Sequence, residues 1–287
     1  MKLIQRIVLA YYRIKFKALE RVSLAKATKE VFELFCTPYS KRRSYDIPSV
    51  FLKANKLSFT FKNHDINGFS WKPDNSIAPK VLICHGFDSN SYRFERYIEP
   101  LLKEGFEVFA FDAPGHGVSS GKTITALLYR DMILKINADY GPFEAIMAHS
   151  FGGIAVALAI EKVKMNDLKR LVLVAPATET TRSLNDFCRF LSISDKLKEE
   201  MEKLILQIEG HPSSWYSVAR IIQSVTIPTL WLHDKGDTIT PYKDMEFLTR
   251  LELPNVDFVI TEGLGHSLYR DDTIAEKILS FIAGIKS

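Results

Sequence analysis

The stretch AHSFGG, residues Ala148 to Gly153, holds a serine where chemistry is easiest to build. An apolar run, Ala145 to Ala148, reads as a buried strand, and the segment IAVALAI after Gly153 reads as a buried helix. Ser150 therefore stands at a sharp strand-to-helix reversal. Such a turn needs small residues two positions to either side, and Ala148 and Gly152 supply them. This is the nucleophile-elbow pattern G-x-S-x-G with alanine at its first glycine. It lifts the serine Oγ above the sheet edge in a backbone conformation that costs about 1–3 kcal/mol. The N–H of Phe151 opens the helix, where unsatisfied donors and the positive dipole end favour a developing anion.

A serine hydroxyl is a weak nucleophile until a base removes its proton, and that base needs an orienting acid. In an open parallel sheet the expected order is serine, acid, histidine. After the strand TIPTLWLH comes DKGDTITP, which offers Asp234 and Asp237; after NVDFVITEG comes LGHS, which offers His266. Each lies at the carboxyl end of a strand, the edge where such sheets bind ligands. A single loop Asp or His is more often plain surface, but three residues at corresponding strand ends, in the right order, point to acyl transfer to a serine. An oxyanion needs a second donor. The first parallel strand ends in Cys84-His85-Gly86-Phe87, where Gly86 lets the backbone turn and the Phe87 N–H can pair with that of Phe151. His85 precedes the elbow strand and is read as a loop brace.

The elements that must position these residues are those of an alternating α/β chain. From Leu57, SFTFKNHDINGFSWKP alternates as an antiparallel hairpin about a turn near Asn63 to Asn67. Strand, loop and helix then repeat, and a last helix runs from Ile274 to Ile285. Counting the hairpin, this makes a mostly parallel eight-stranded sheet with helices on both faces and right-handed crossovers. Between Pro176 and Ile227 the rhythm breaks. LNDFCRFL, ISDKLKEEMEKLILQI and WYSVARIIQSV are helical, far more chain than one crossover needs, and read as a helical cap inserted at about 178–224. Its Phe187, Phe190, Leu191, Trp215 and Tyr216 are candidates to line an apolar cleft. Residues 1–47 form an N-terminal helical extension ahead of the domain at 48–287. In its first helix Leu3, Ile4, Ile7, Val8, Tyr11 and Ile14 fall on one side, with Lys2, Arg6, Arg13 and Lys17 elsewhere. Such a stripe is expected to pack on its own domain; contact with a membrane surface is the less favoured alternative.

Composition narrows the class. At 287 residues, 46% hydrophobic and 25% charged, the chain has the make-up of a globular protein with a sizeable core. A net charge of +4 is too weak to argue for nucleic acid. Cys36, Cys84 and Cys188 share no metal-ligand spacing, and Cys84 sits in the apolar run VLICHG as a small core residue. No run of about 18 apolar residues spans a membrane. The N-terminus has apolar residues interrupted by Gln5 and Arg6 and no cleavage site, so a cytoplasmic location is expected. HGVSSGKT, from His116 to Thr123, nearly spells a phosphate-binding loop, but His116 occupies its first glycine and nucleotide binding is not expected.

Taken together, HGF after the first parallel strand, FDAPGHGVSSG after the next, AHSFGG, the DxxxP of Asp237 to Pro241, and GLGHS resemble the α/β-hydrolase superfamily, near its cap-bearing serine esterases and lipases. The resemblance covers roughly Leu57 to Ile285. It implies Ser150 as nucleophile, Asp237 as acid, His266 as base, and the backbone amides of Phe87 and Phe151 as oxyanion donors. Asp237 is preferred to Asp234 because the acid of that superfamily precedes a proline by four residues. Two positions depart from the pattern: Ala148 replaces the first elbow glycine, and Asp234 stands where a glycine is usual. The activity implied is hydrolysis of a carboxylic ester or thioester with an apolar group, through an acyl-enzyme, with no metal and no cofactor. Acyl transfer on the same triad, peptidase or carbon–carbon bond cleavage, and a non-catalytic ligand-binding member of the fold are the alternatives.

Overall fold

The computed structural model describes residues 3–39, 46–74 and 77–285. In chain order, α1 (Leu3–Val22), α2 (Leu24–Phe35) and the single turn α3 (Ser49–Leu52) precede β1 (Asn55–Phe61), β2 (His64–Trp71) and β3 (Lys80–Cys84). Then follow α4 (Glu95–Lys103), β4 (Glu107–Phe111), α5 (Ala126–Tyr140), β5 (Ala145–His149), α6 (Phe151–Lys162) and β6 (Arg170–Val174). The insertion holds α7 (Thr180–Leu191) and α8 (Asp195–Glu209), and α9 (Val218–Ile222), β7 (Thr229–Asp234), β8 (Val256–Thr261) and α10 (Asp272–Ala283) complete the chain. Two compact units result: Met1–Thr37 with Glu179–Ser217, and Pro38–Thr178 with Val218–Ser287.

The larger unit is an eight-stranded sheet in the order β1-β2-β4-β3-β5-β6-β7-β8. The first hairpin runs antiparallel at one edge, β2 pairs antiparallel with β4, and every later pairing is parallel. Its turn is tighter and earlier than the sequence indicates. Lys62 and Asn63 both have positive φ (44° and 63°), so Phe61 faces His64 directly and Asn67 lies within β2, opposite Ser58. Two left-handed residues match the twist of a hairpin, and only Asn63 advertises it.

Alternate strand residues feed opposite faces. Val81, Ile83, Val108, Ala110, Ala145 and Met147 join one core with Ile98 and Leu101 of α4 and Ile278 and Ile282 of α10. On the other face Phe109 meets Phe143 edge-on and Phe111 packs on Tyr140 of α5, while α6 packs against both α5 and α9. With both faces covered, β5 is buried at every position.

In the smaller unit α1 packs on α2 and α7, and α2 packs on α8. Ser23 breaks the first two helices and caps α2, its hydroxyl accepting the Lys26 N–H at 3.3 Å. The face that α1 turns inward is not the expected one. Phe16 is buried and Leu9, Tyr12 and Leu19 are partly so, whereas Ile4, Ile7, Val8, Tyr11 and Ile14 are all exposed. Lys2 lies outside the described residues. The helix carries two apolar arcs, and the one with the stacked pair Tyr12–Phe16 is the one that packs. Large aromatic rings bury more area than the aliphatic arc offers. Of the cleft candidates, Leu191 and Tyr216 are buried within this unit, Phe187 packs edge-on against Phe35, and Phe190 and Trp215 are exposed.

Candidate active site

Ser150 sits between β5 and α6 with φ 53° and ψ −120°, a conformation non-glycine residues rarely adopt. The surrounding backbone holds it there. Its N–H donates to Val174 O at 3.0 Å, and its carbonyl accepts the N–H groups of Gly153 and Ala177 at 2.9 Å each. Gly152 is required by close approach, because a Cβ there would stand 2.7 Å from the carbonyl oxygens of Cys84 and His85. Gly86 is nearly as tight, its would-be Cβ only 3.0 Å from Ser150 Cβ. The end of β3 and the elbow are thus pressed together. Phe87 and Phe151 share this junction, their rings meeting edge-on at 5.4 Å.

His266 lies in the turn Gly265–Arg270 that follows β8. Its Nε2 is 3.0 Å from Ser150 Oγ, and its Nδ1 is 2.8 Å from Asp237 Oδ2. The structure therefore brings Ser150, His266 and Asp237 into one hydrogen-bonded line. Asp237 is buried and heavily coordinated. Its Oδ1 accepts the N–H groups of Ile239 (2.8 Å) and Thr240 (3.0 Å), and its Oδ2 accepts the Thr240 hydroxyl (2.8 Å) as well as His266. Burial alone would raise its pKa, but the bond and charge of His266 and the two amides hold it down at about 2. Asp234 does different work. One oxygen accepts the Gly236 N–H, and the other accepts the Thr261 hydroxyl and the Leu264 N–H, which fastens the loop carrying His266.

Three neighbours escape sequence reasoning. Thr240 Oγ1, besides bonding Asp237, lies 3.2 Å from His266 Nδ1. His233, at the end of β7, donates from Nε2 to Thr240 O at 2.6 Å and accepts the Trp231 indole N–H at 3.3 Å, so it is neutral and braces the acid turn. His149, next to the serine, donates from Nε2 to the carbonyl of His266 at 3.0 Å, with ring centroids 4.8 Å apart. Burial, then the neighbouring His266, push the His149 pKa down to about 3, so it too is neutral. Among the described residues its Nδ1 has no hydrogen-bond partner. The only sequence signal for it is adjacency to the serine.

His85 accepts the Ala113 N–H at 3.0 Å and donates to Gly86 O at 2.8 Å, bracing the loop after β3. The loop HGVSSGKT is held by scaffold bonds of the same kind. His116 bonds Phe87 O and Pro114 O, and Asp112 accepts from the N–H and hydroxyl of Ser91 and from the Val118 N–H. Among the described residues no group of three or more His, Cys, Asp or Glu side chains is placed to hold a metal ion.

Residues 75–214, just under half of the chain, match the hydrolase family model described as serine aminopeptidase, S33. "Putative esterase/lipase 2" of Mycoplasma pneumoniae is 24% identical over 255 residues, covering 76% of this chain and 94% of that protein. Human monoglyceride lipase is 30% identical over 124 residues, 39% of this chain and 41% of its own. An esterase of Pyrococcus furiosus superposes with a TM-score of 0.62 at 20% identity, covering 87% of this chain and 95% of that one. The chain has the α/β-hydrolase fold, and the proteins it resembles are esterase- and lipase-like.

Proposed function

We propose that this protein hydrolyses a carboxylic ester or thioester bearing an apolar group, through an acyl-enzyme on Ser150. The observation that carries the reading is the line Asp237–His266–Ser150, with 2.8 and 3.0 Å between successive side chains, ending on a serine held at positive φ. Ser150 Oγ attacks the carbonyl carbon while His266 Nε2 takes its proton. Asp237, ionised far below neutrality, fixes the Nδ1–H tautomer and stabilises the imidazolium that forms. The amides of Phe87 and Phe151 donate to the tetrahedral oxyanion, each such donor being worth about 10²–10³-fold in rate. His266 returns its proton to the leaving group and then activates the water that releases the acyl chain. The cytoplasm is read as the compartment. The names of the Mycoplasma and human relatives, esterase/lipase and monoglyceride lipase, support an ester rather than a peptide.

A fluorophosphonate probe followed by a chain-length series of p-nitrophenyl esters tests the reading. The wild type labels and turns over ester, and Ser150→Ala does neither, with rates down by about 10⁶-fold. A wild type that fails to label, or labelling that survives the substitution, overturns it. An aminoacyl p-nitroanilide run in parallel reports peptidase activity, and added alcohols report acyl transfer.

A further inference from the structure

We propose that the outward face of α1 docks this protein on anionic lipid bilayers, the helix lying in the headgroup plane with its apolar stripe inserted. Single exposed apolar residues are ordinary on any surface. Here Ile4, Ile7, Tyr11 and Ile14 follow one another at helical spacing and are 75, 60, 58 and 70% exposed. They form one continuous stripe along about three turns of the helix.

The stripe is held outward by contacts around the rest of the helix. Phe16 is buried, the Arg13 guanidinium donates to Phe190 O at 2.7 Å, Lys15 pairs with Glu30 at 2.7 Å, and the Ser194 hydroxyl donates to Glu20 at 2.6 Å. Rotating the stripe inward would break all four.

Charge identifies the occupant. Arg6, Lys17 and Arg21 fall along one flank of the stripe, with the anchored Arg13 between them, and the described part of α1 has no acidic residue before Glu20. Beside the stripe lies a groove of about 720 Å³ whose rim carries Arg13, Lys17, Arg21 and Lys196, with Glu20 as the acidic member of its lining. An apolar ridge with a cationic shoulder matches a bilayer surface of anionic phospholipid: the ridge enters the acyl boundary and the shoulder meets phosphate. A second copy in antiparallel pairing fits less well, because it sets the two cationic flanks side by side. No described helix is long and apolar enough to cross a membrane, so the helix rests on the surface.

This inference stands on the helical unit alone and does not depend on the proposed chemistry, since its readout is binding. The full chain is floated with vesicles of phosphatidylcholine, and with vesicles of phosphatidylcholine mixed with phosphatidylglycerol. The protein is expected to float with the mixed vesicles only, and less as salt rises. Ile7→Asp/Ile14→Asp abolishes flotation while the circular dichroism spectrum and melting temperature stay at wild-type values. Removing single cations, Arg6→Ala or Lys17→Ala, weakens binding about five-fold each. A wild type that ignores anionic vesicles, or a folded double variant that floats as well as wild type, overturns the proposal. So does a wild-type dimer, seen by light scattering, that the double variant splits while no lipid is bound.

Discussion

The strand β5 and the helix α1 are both rich in apolar residues and meet opposite fates. Every position of β5, from Ala145 to His149, is buried, because the sheet is covered on both faces. In α1 the neighbours α2 and α7 cover one arc only, and Ile4, Ile7, Tyr11 and Ile14 remain in solvent. The difference teaches that apolar content predicts burial only where the architecture encloses an element. An element sandwiched on both sides has no choice of face. A helix at the edge has two, and packing detail decides between them.

The sharpest test lies at the strand ends of the enclosed region. Asp237→Asn keeps the size of the side chain but loses the tautomer control of His266, and kcat is expected to fall about 10⁴-fold with little change in KM. An equal loss on Asp234→Asn would break the distinction drawn between the acid and the loop-holding carboxylate. On α1 the two arcs can be set against each other directly. Phe16→Ala is expected to destabilise by about 3–5 kcal/mol, whereas Ile14→Ser should stay within about 0.5 kcal/mol. Urea midpoints of the two variants measure the gap, and comparable losses would erase the comparison.

Acid gives a smaller, graded effect per residue, carried in the sheet unit by buried histidines. Burial lowers the pKa of His149 to about 3 and of His85 to about 4, and it lowers that of His233 as well. Above the ordinary value of 6.5 these histidines are neutral in both states. Below it the unfolded chain takes up protons that the folded chain refuses, so stability falls as pH drops. Each contributes up to about 1.4 kcal/mol per pH unit until its folded pKa is reached. Asp237 adds its own loss only below its ordinary 3.8, on the way to about 2. Melting temperatures taken from pH 7.5 down to pH 5 should decline steadily, and a flat profile would contradict burial of neutral imidazoles.

The strands and their succession along the chain were legible because enclosed strands announce themselves as short apolar runs between turn residues, whereas the place of β4 between β2 and β3 left no local mark. Ser150 and His266 each follow such a run, as do both Asp234 and Asp237, and only the superfamily resemblance chose between the two acids. Thr240, His149 and His233 were not legible, since their contributions depend on where a side chain points once β7 and the His266 turn come together. Nor did the sequence reveal that residues 1–37 and 179–217 share one unit, because contacts so far apart in the chain leave no local pattern. The choice of arc on α1 was hidden for a related reason. Both arcs satisfy helical periodicity, and only the stacking of Tyr12 on Phe16 and the polar anchors around them separate the two.

Thr178 and Val218, the last residue before the insertion and the first after it, are joined by a hydrogen bond of 2.9 Å from the Val218 N–H to the Thr178 carbonyl. For the sheet, everything from 179 to 217 is a detour that starts and finishes at one doorstep. Strand order, the elbow and the acid turn can all form without reference to the detour's length or composition. The inserted helices can therefore change in length and sequence while the chain re-enters the sheet unit at the point where it left.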